Sequence, residues 1–317
     1  MRLIKQITLI ISVILCFTLF NTSIYFLCTQ RCLPDNGQVE KIKIISLEKY
    51  LPFDEKSEIV NIKAELPLTG ELPVIDGAEG LYPVFSAVVN ALYPENSVSF
   101  NGQNFDFESK LQMNNTLKAY KGVVDGTADL VFCAGPSQAQ LNYAAENDVE
   151  LEFVPIGKEA FVFLVNSKNP ISELTAEEIR GIYTGQYTNW SQLGGKNIPI
   201  SALQRIEGSG SQTAFLAFMN GEKAIRDYDS FIGSAIGFSF RYYVADVIEN
   251  SGVKMLAVNG AYPDRENIKN GRYPIVSQFY AVYDKENDNP NIPILIEWLL
   301  SEEGQYIIEK TGYTAIK

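Results

Sequence analysis

The sequence predicts an α/β protein of doubly wound sheets behind an N-terminal membrane segment, and three features of its 317 residues carry that prediction. Hydrophobic residues make up 46% and charged residues 20%, an ordinary globular balance with length enough for two lobes that each own a core. Short apolar runs of strand composition alternate with helical patterns, which argues for sheets covered by helices, with ligands bound at the carboxyl ends of the strands. The third feature is a stretch near the N-terminus with the length and apolarity of a helix that crosses a bilayer.

That stretch runs from Ile7 to Cys28, follows Arg2 and Lys5, and is interrupted only by Asn21, Thr22 and Ser23. No small-residue cleavage pattern lies downstream. A lipoprotein signal is also missing, because Val13-Ile14-Leu15 precede Cys16 and Tyr25-Phe26-Leu27 precede Cys28 where small residues are required. Residues 1–32 are therefore expected to form an uncleaved anchor. The positive residues on its short side place that end in the cytoplasm, giving a single-pass protein of the cell membrane whose folded part is extracytoplasmic. Residues 33–70 are mixed and charged, with ELPLTGELP at their end, and are expected to form a tether to a folded unit over 71–317.

Composition excludes several function classes. The formal net charge of −12 and the lack of any basic run argue against nucleic acid, which is held by Lys and Arg neutralising phosphates. A local anion site is still compatible with that charge, because distant surface charges are screened beyond roughly 8 Å at physiological salt. There is no His, which removes the commonest general base, the Ser-His and Cys-His pairs and most zinc sites. The sequence thus gives no catalytic residue, no metal ligands and no cofactor motif. Of the four Cys, Cys16, Cys28 and Cys32 lie in or beside the apolar segment and only Cys133 falls in the folded part, so a disulfide framework is not expected.

Strands are expected over LPVID (72–76), DLVFC (129–133), LEFVPI (151–156) and AFVFLVN (160–166). Three strand-to-helix turns carry the candidate chemistry. The first, Asp76 to Pro83, leads into a helix with Val84, Val88, Ala91 and Leu92 on one face, and Pro83 suits its first turn. Glu79 and Gly80 are the candidates here, since glycines admit a ligand close to the backbone and helix-start N–H groups favour negative charge. The second, Asn114-Asn115-Thr116, precedes a stripe of Leu117, Tyr120, Val123 and Val124. Asn115 or Thr116 can cap that helix or face an anion. The third, Gln204 to Thr213, is the strongest signal: Gly208, Ser209, Gly210 and Ser211 at a helix start offer convergent donors, and Arg205 adds a planar, permanently charged fork. Glu207 is placed to hold that guanidinium, and a capped loop with a surface Arg–Glu pair is the plain structural alternative. An esterase would need Ser209 or Ser211 activated without His, and the Gly-x-Ser-x-Gly spacing is absent. Trp190 with Tyr187, and Tyr242 with Tyr243, read as core and interlobe packing rather than a stacking platform.

Arg205 to Thr213, with IYTGQYTNWSQLGG ahead of it, resembles the phosphate-binding proteins of ABC importers. The resemblance continues through DGTADLVFCAGPS, IGFSFRYYV and GQYIIEKTGY, in that order, from about Leu72 to Lys317. It implies a two-lobed periplasmic-binding-protein-like fold of type II: lobe 1 at about 71–160 plus 258–317, lobe 2 at about 161–257, and crossing segments near Ile156 to Lys168 and Ala257 to Tyr273. It also implies an anion in the cleft, with Arg205, Ser209, Gly210 and Ser211 as the phosphate-binding turn, Glu207 at the acidic position that pairs with the Arg, and Asn115 or Thr116 in the hydroxyl loop of lobe 1. Two residues depart from that pattern: Glu79 stands where a hydroxyl is usual, and Ala134 where an Asp is common. Glu79 either accepts a hydrogen bond from a protonated ligand oxygen or points away from the ligand. The function implied is capture of inorganic phosphate or a similar small oxyanion for the permease subunits of an ABC importer. The alternative is a membrane-anchored surface sensor or interaction protein that keeps the fold without transporting phosphate.

Overall fold

The computed structural model describes residues 46–225, 234–244 and 252–316. The expected anchor, residues 1–32, lies outside the described residues, and among those described no helix is long and apolar enough to cross a membrane. In chain order the strands are β1 (Ile75–Gly77), β2 (Leu130–Ala134), β3 (Leu151–Asn166), β4 (Glu173–Leu174), β5 (Ser201–Ala202), β6 (Ala235–Phe240), β7 (Val253–Met255), β8 (Ala257–Val258), β9 (Val276–Asp284) and β10 (Thr314–Ala315). The α-helices are α1 (Tyr82–Leu92), α2 (Thr116–Val124), α3 (Gln138–Glu146), α4 (Ala176–Tyr183), α5 (Gly210–Met219), α6 (Arg265–Lys269), α7 (Asn291–Leu299) and α8 (Glu302–Thr311).

β1 and β2 are buried at every residue, which is why β2, Leu-Val-Phe-Cys-Ala, is apolar without alternation. The alternation is instead between two cores. Leu130 and Phe132 point into a cluster with Val84, Phe85, Leu295 and Ile307, whereas Val131 and Cys133 point into one with Ala119, Tyr120 and Val282. Helices therefore cover both faces of the lobe 1 sheet. β1 pairs parallel with β2, and β2 antiparallel with β9.

β3 joins the lobes. Its first part, Leu151 to Ala160, runs antiparallel to β9, while Phe161 to Val165 run antiparallel to β6 and Leu164 to Asn166 to β7. Its register with β9 shifts between Pro155 and Gly157, where Pro155 has no N–H to give to the ladder. Beyond that shift the strand enters a second core of Phe161, Phe163, Phe215, Phe238 and Trp190. The result is the expected mixed α/β architecture with two lobes.

Two boundaries differ from expectation. Val258, Ala261, Ile268 and Tyr273 pack in the core of lobe 2, because β8 pairs with β4 and α6 closes over them. The chain thus returns to lobe 1 near Ile275, whose carbonyl accepts from Phe161 N at 2.9 Å, rather than at residue 258. Residues 46–69, expected within the tether, instead form a strap on lobe 1. Leu47, Tyr50, Phe53, Ile59, Val60 and Ile62 pack against its core, and Leu68 is buried there. Phe53 N donates to Asn90 Oδ1 at 2.8 Å, Tyr82 Oη to Leu47 O at 3.3 Å, and Leu68 N to Leu92 O at 2.8 Å. The strap covers the outer face of α1, of which only Asn90 is not buried.

Candidate functional site

The first turn begins where β1 leaves the sheet. Gly77 is obligatory there, since a Cβ would sit 2.6 Å from Phe132 O and 2.7 Å from Phe85 Cε1. The following residues Glu79–Leu81 make a 3-10 turn, and Pro83 enters the first turn of α1, where no intrahelical N–H is needed. Asp76 is 4% exposed and ties this turn to the second one. Its Oδ1 accepts from Gly77 N at 2.7 Å and Asn114 N at 2.9 Å, and its Oδ2 accepts from Asn114 Nδ2 at 2.8 Å. Burial pushes the Asp76 carboxyl above its usual range, and these hydrogen bonds oppose the shift. Tyr313 Oη donates to Gly80 O and braces the turn from the C-terminal side.

In the second turn Asn115 caps α2, accepting from Lys118 N at 3.0 Å, and Thr116 is buried as its first residue. In the third, Ser209 caps α5 by accepting from Gln212 N at 3.3 Å. That bond uses its oxygen as acceptor and leaves its O–H as a donor. The buried Gln212 shapes the loop before the helix, accepting from Arg205 N at 2.9 Å and donating to Gln204 Oε1 at 3.3 Å.

These turns meet. Glu79, Gly80, Asn115 and Thr116 of lobe 1 and Arg205, Ser209, Gly210 and Ser211 of lobe 2 line one cleft cavity of about 310 Å³. Gly208 does not. It adopts φ 80°, lies buried beside the cavity, and its carbonyl accepts from Gln140 Nε2 of lobe 1 at 3.1 Å. Its role is to let the lobes approach, since a Cβ would meet Leu117 Cδ1 at 2.7 Å. Gly210 acts similarly: a Cβ there would lie 3.2 Å from both Ala134 Cβ and Thr116 Oγ1. The methyl of Ala134 thus stands where lobe 2 backbone comes close, and a longer side chain would meet it.

Arg205 is exposed at the rim. Glu79 is half-buried, its carboxyl is raised by desolvation, and the Arg205 charge opposes that rise. Glu207 makes no described ion pair with Arg205 and lines a neighbouring pocket with Tyr143 and Gly208. Tyr243 shares the same field, its hydroxyl raised by burial and by Glu79 and lowered by Arg205. Trp190, by contrast, is a core residue of lobe 2 that donates from Nε1 to Ser234 O at 2.8 Å, and Tyr242 is buried and stacked on Tyr313 at 4.5 Å.

Sequence reasoning missed the rear of the cavity: Glu159 of β3, Ser239 and Phe240 of β6, Tyr243, Ser277 to Phe279 of β9, and Tyr313. IGFSFRYYV and GQYIIEKTGY contain four of these positions, so a signal was present, while Ser277 to Phe279 carry no motif. Taken together the cavity offers helix-start N–H groups, hydroxyls of Thr116, Ser209 and Ser211, one guanidinium, and Glu79 as acceptor, which suits a small oxyanion.

A sequence model of the PBP superfamily domain matches residues 71–303. The phosphate-binding protein PstS of Bacillus subtilis is 22% identical over 275 residues, covering 83% of this chain and 86% of that protein. The phosphate-binding protein PstS of Borreliella burgdorferi is 26% identical over 181 residues, covering 50% of this chain and 64% of that protein, so the match spans less than two thirds of its length. Among solved structures, a protein of Clostridium perfringens assigned as a phosphate ABC transporter substrate-binding protein, solved with bound phosphate, is 26% identical with a TM-score of 0.59, covering 77% of this chain and 98% of that one. An ABC-type phosphate transport receptor of Vibrio cholerae shares the fold at 20% identity and a TM-score of 0.53, covering 76% of this chain and 98% of that one.

Proposed function

This chain belongs to the PBP superfamily, and from that premise we propose that it captures inorganic phosphate or a similar small oxyanion outside the membrane and delivers it to an ABC importer. The observation that carries this reading is the convergence of three helix-start turns on one cavity that holds a guanidinium, several hydroxyls and helix-start N–H groups. The relatives named for phosphate binding, and the Clostridium protein solved with phosphate, support the choice of ligand. Residues 1–32 anchor the protein by a single membrane pass, and the permease subunits of the importer are its partners. It works by binding and release, without chemistry on the ligand.

In this reading Gly210 and Ser211 give backbone N–H groups, Thr116, Ser209 and Ser211 give hydroxyls, and Arg205 gives charge-assisted hydrogen bonds. Glu79 takes the acceptor role for which Ala134 has no atom. A carboxylate facing the ligand accepts from a protonated phosphate oxygen and repels sulfate, which has no proton to offer. Its balance with Arg205 keeps the site's two nearest side-chain charges neutral overall.

Titration of the full chain in detergent, freed of bound ligand by exhaustive dialysis, with phosphate and with sulfate tests this function. Phosphate at a thousand times its dissociation constant should add about 4 kcal/mol of stability, with no response to sulfate. No response to either oxyanion would favour the surface sensor or interaction protein instead.

A further inference from the structure

We infer that the cleft admits a substituted phosphoryl group, a phosphonate or phosphomonoester carrying a small organic moiety, with the phosphoryl end at the helix starts and the substituent against the hinge strands. This rests on the oxyanion reading above and sharpens its substrate class.

Volume is the first argument. An oxyanion of five heavy atoms displaces on the order of two or three waters, each with about 30 Å³ of liquid volume. The cavity of about 310 Å³ is several times larger. It falls at the lower end of the range, about 300–1,000 Å³, in which proteins bury organic ligands. A widely parted cleft does not account for the excess, because the lobes already touch: Gln140 Nε2 reaches Gly208 O at 3.1 Å, and Gly210 lies against Ala134 and Thr116.

The lining also differs from end to end. Donors and the guanidinium sit at the helix starts, on Thr116, Arg205, Ser209 and Ser211. At the rear the rings of Phe240, Tyr243, Phe279 and Tyr313 stand beside the polar side chains of Glu159, Ser239, Ser277 and Gln278. Phe240 borders both ends, since its Cε2 lies 3.8 Å from the Cβ position of Gly210. Behind it the wall is a fixed stack: Phe279 meets Tyr313 edge-on at 5.1 Å, and Tyr313 stacks on Tyr242 at 4.5 Å. A bare oxyanion, hydrogen-bonded on every side, gains nothing from such a wall, whereas an apolar substituent does.

Charge points the same way. Arg205 is the sole cation of the described lining and faces the carboxylate of Glu79, while Glu159 at the rear accepts from Tyr242 N at 2.6 Å. Replacing one phosphate oxygen by carbon, or esterifying it, removes one ionisable oxygen from the end that faces Glu79.

The test is competition in the full chain, with inorganic phosphate, ethylphosphonate and phenylphosphonate as probes. At least one phosphonate is expected to bind within tenfold of phosphate and to compete with it. Tyr243→Ala is expected to weaken phenylphosphonate at least tenfold and phosphate less than threefold. Binding of phosphate with exclusion of both phosphonates would overturn this inference while leaving the oxyanion function intact. Equal losses for both ligands in Tyr243→Ala would overturn the assignment of the rear wall. Failure of all three probes would instead remove the oxyanion function on which the inference rests.

Discussion

Lobe 1 presents its side of the cleft from turns braced by buried groups, whereas lobe 2 presents Arg205 from a loop whose next residue, Ile206, is 74% exposed. On the lobe 1 side, Asp76 makes three hydrogen bonds that lock two turns together, Tyr313 holds Gly80, and the strap closes over the helix that follows. On the lobe 2 side the loop is held by Gln212, by Gln204 Nε2 donating to Ile225 O at 2.9 Å, and by the bond from Gln140 to Gly208. The difference teaches that the two halves of one site are stabilised by different means. The half with the carboxylate is set by the core, and the half with the guanidinium is set by a helix start and side-chain amides.

The largest effect expected from this asymmetry comes from the strap. Its partly buried apolar side chains at about 1 kcal/mol each, roughly half the value for full burial, approach the whole stability of a typical domain, about 5–15 kcal/mol. A chain beginning at residue 71, where the family match starts, should fail to give a cooperative thermal transition, whereas one beginning at residue 46 should give one; equal transitions would show the strap to be dispensable.

Asp76→Ala comes next. It leaves the N–H and side-chain amide of Asn114 without their buried partner and should cost about 2–3 kcal/mol in denaturant unfolding. Gln212→Ala, the matching change in lobe 2, frees groups that water can reach and should cost about 1 kcal/mol while weakening anion binding. A larger stability loss from Gln212→Ala than from Asp76→Ala would break the comparison.

Glu79→Gln should have the smallest effect on stability, and its sign depends on pH. Burial raises the folded-state pKa of Glu79 above its ordinary 4.5, so the folded protein binds a proton where the unfolded chain has released it. The ionised carboxylate therefore destabilises the ligand-free protein at neutral pH, and that penalty fades as pH falls through the raised value toward 4.5. Melting curves should show Glu79→Gln slightly more stable than the parent at neutral pH, with the gap closing on acidification. The same variant should lose the preference for phosphate over sulfate if Glu79 is the acceptor.

Much of this was legible in the sequence because the site is written in local signals. Glycines, capping residues and the arginine lie within single turns, so the sequence could point to Arg205, Ser209, Gly210, Ser211, Asn115 and Thr116, which line one cavity. Gly208 was misplaced because its conformational need looks, in sequence, like close approach to a ligand, and here the close partner is Leu117. Glu207 was misassigned because adjacency along a loop does not bring side chains together, while Glu79 reaches the field of Arg205 across the cleft. The rear wall was missed because strands 159, 240 and 278 meet only through β-pairing. The strap did carry a signal: Val60, Ile62 and Ala64 alternate with the exposed Asn61, Lys63 and Glu65, the period of an extended segment with one face covered. Its charged residues hid that pattern.

The most direct test of the account is the affinity of Arg205→Ala for phosphate, measured by calorimetry beside the parent chain. A hydrogen bond to a charged group is worth about 1.5–3 kcal/mol, so the account predicts a loss of at least tenfold, or about 1.4 kcal/mol. An unchanged dissociation constant would contradict the account, because it would mean that the turn on lobe 2 does not reach the ligand.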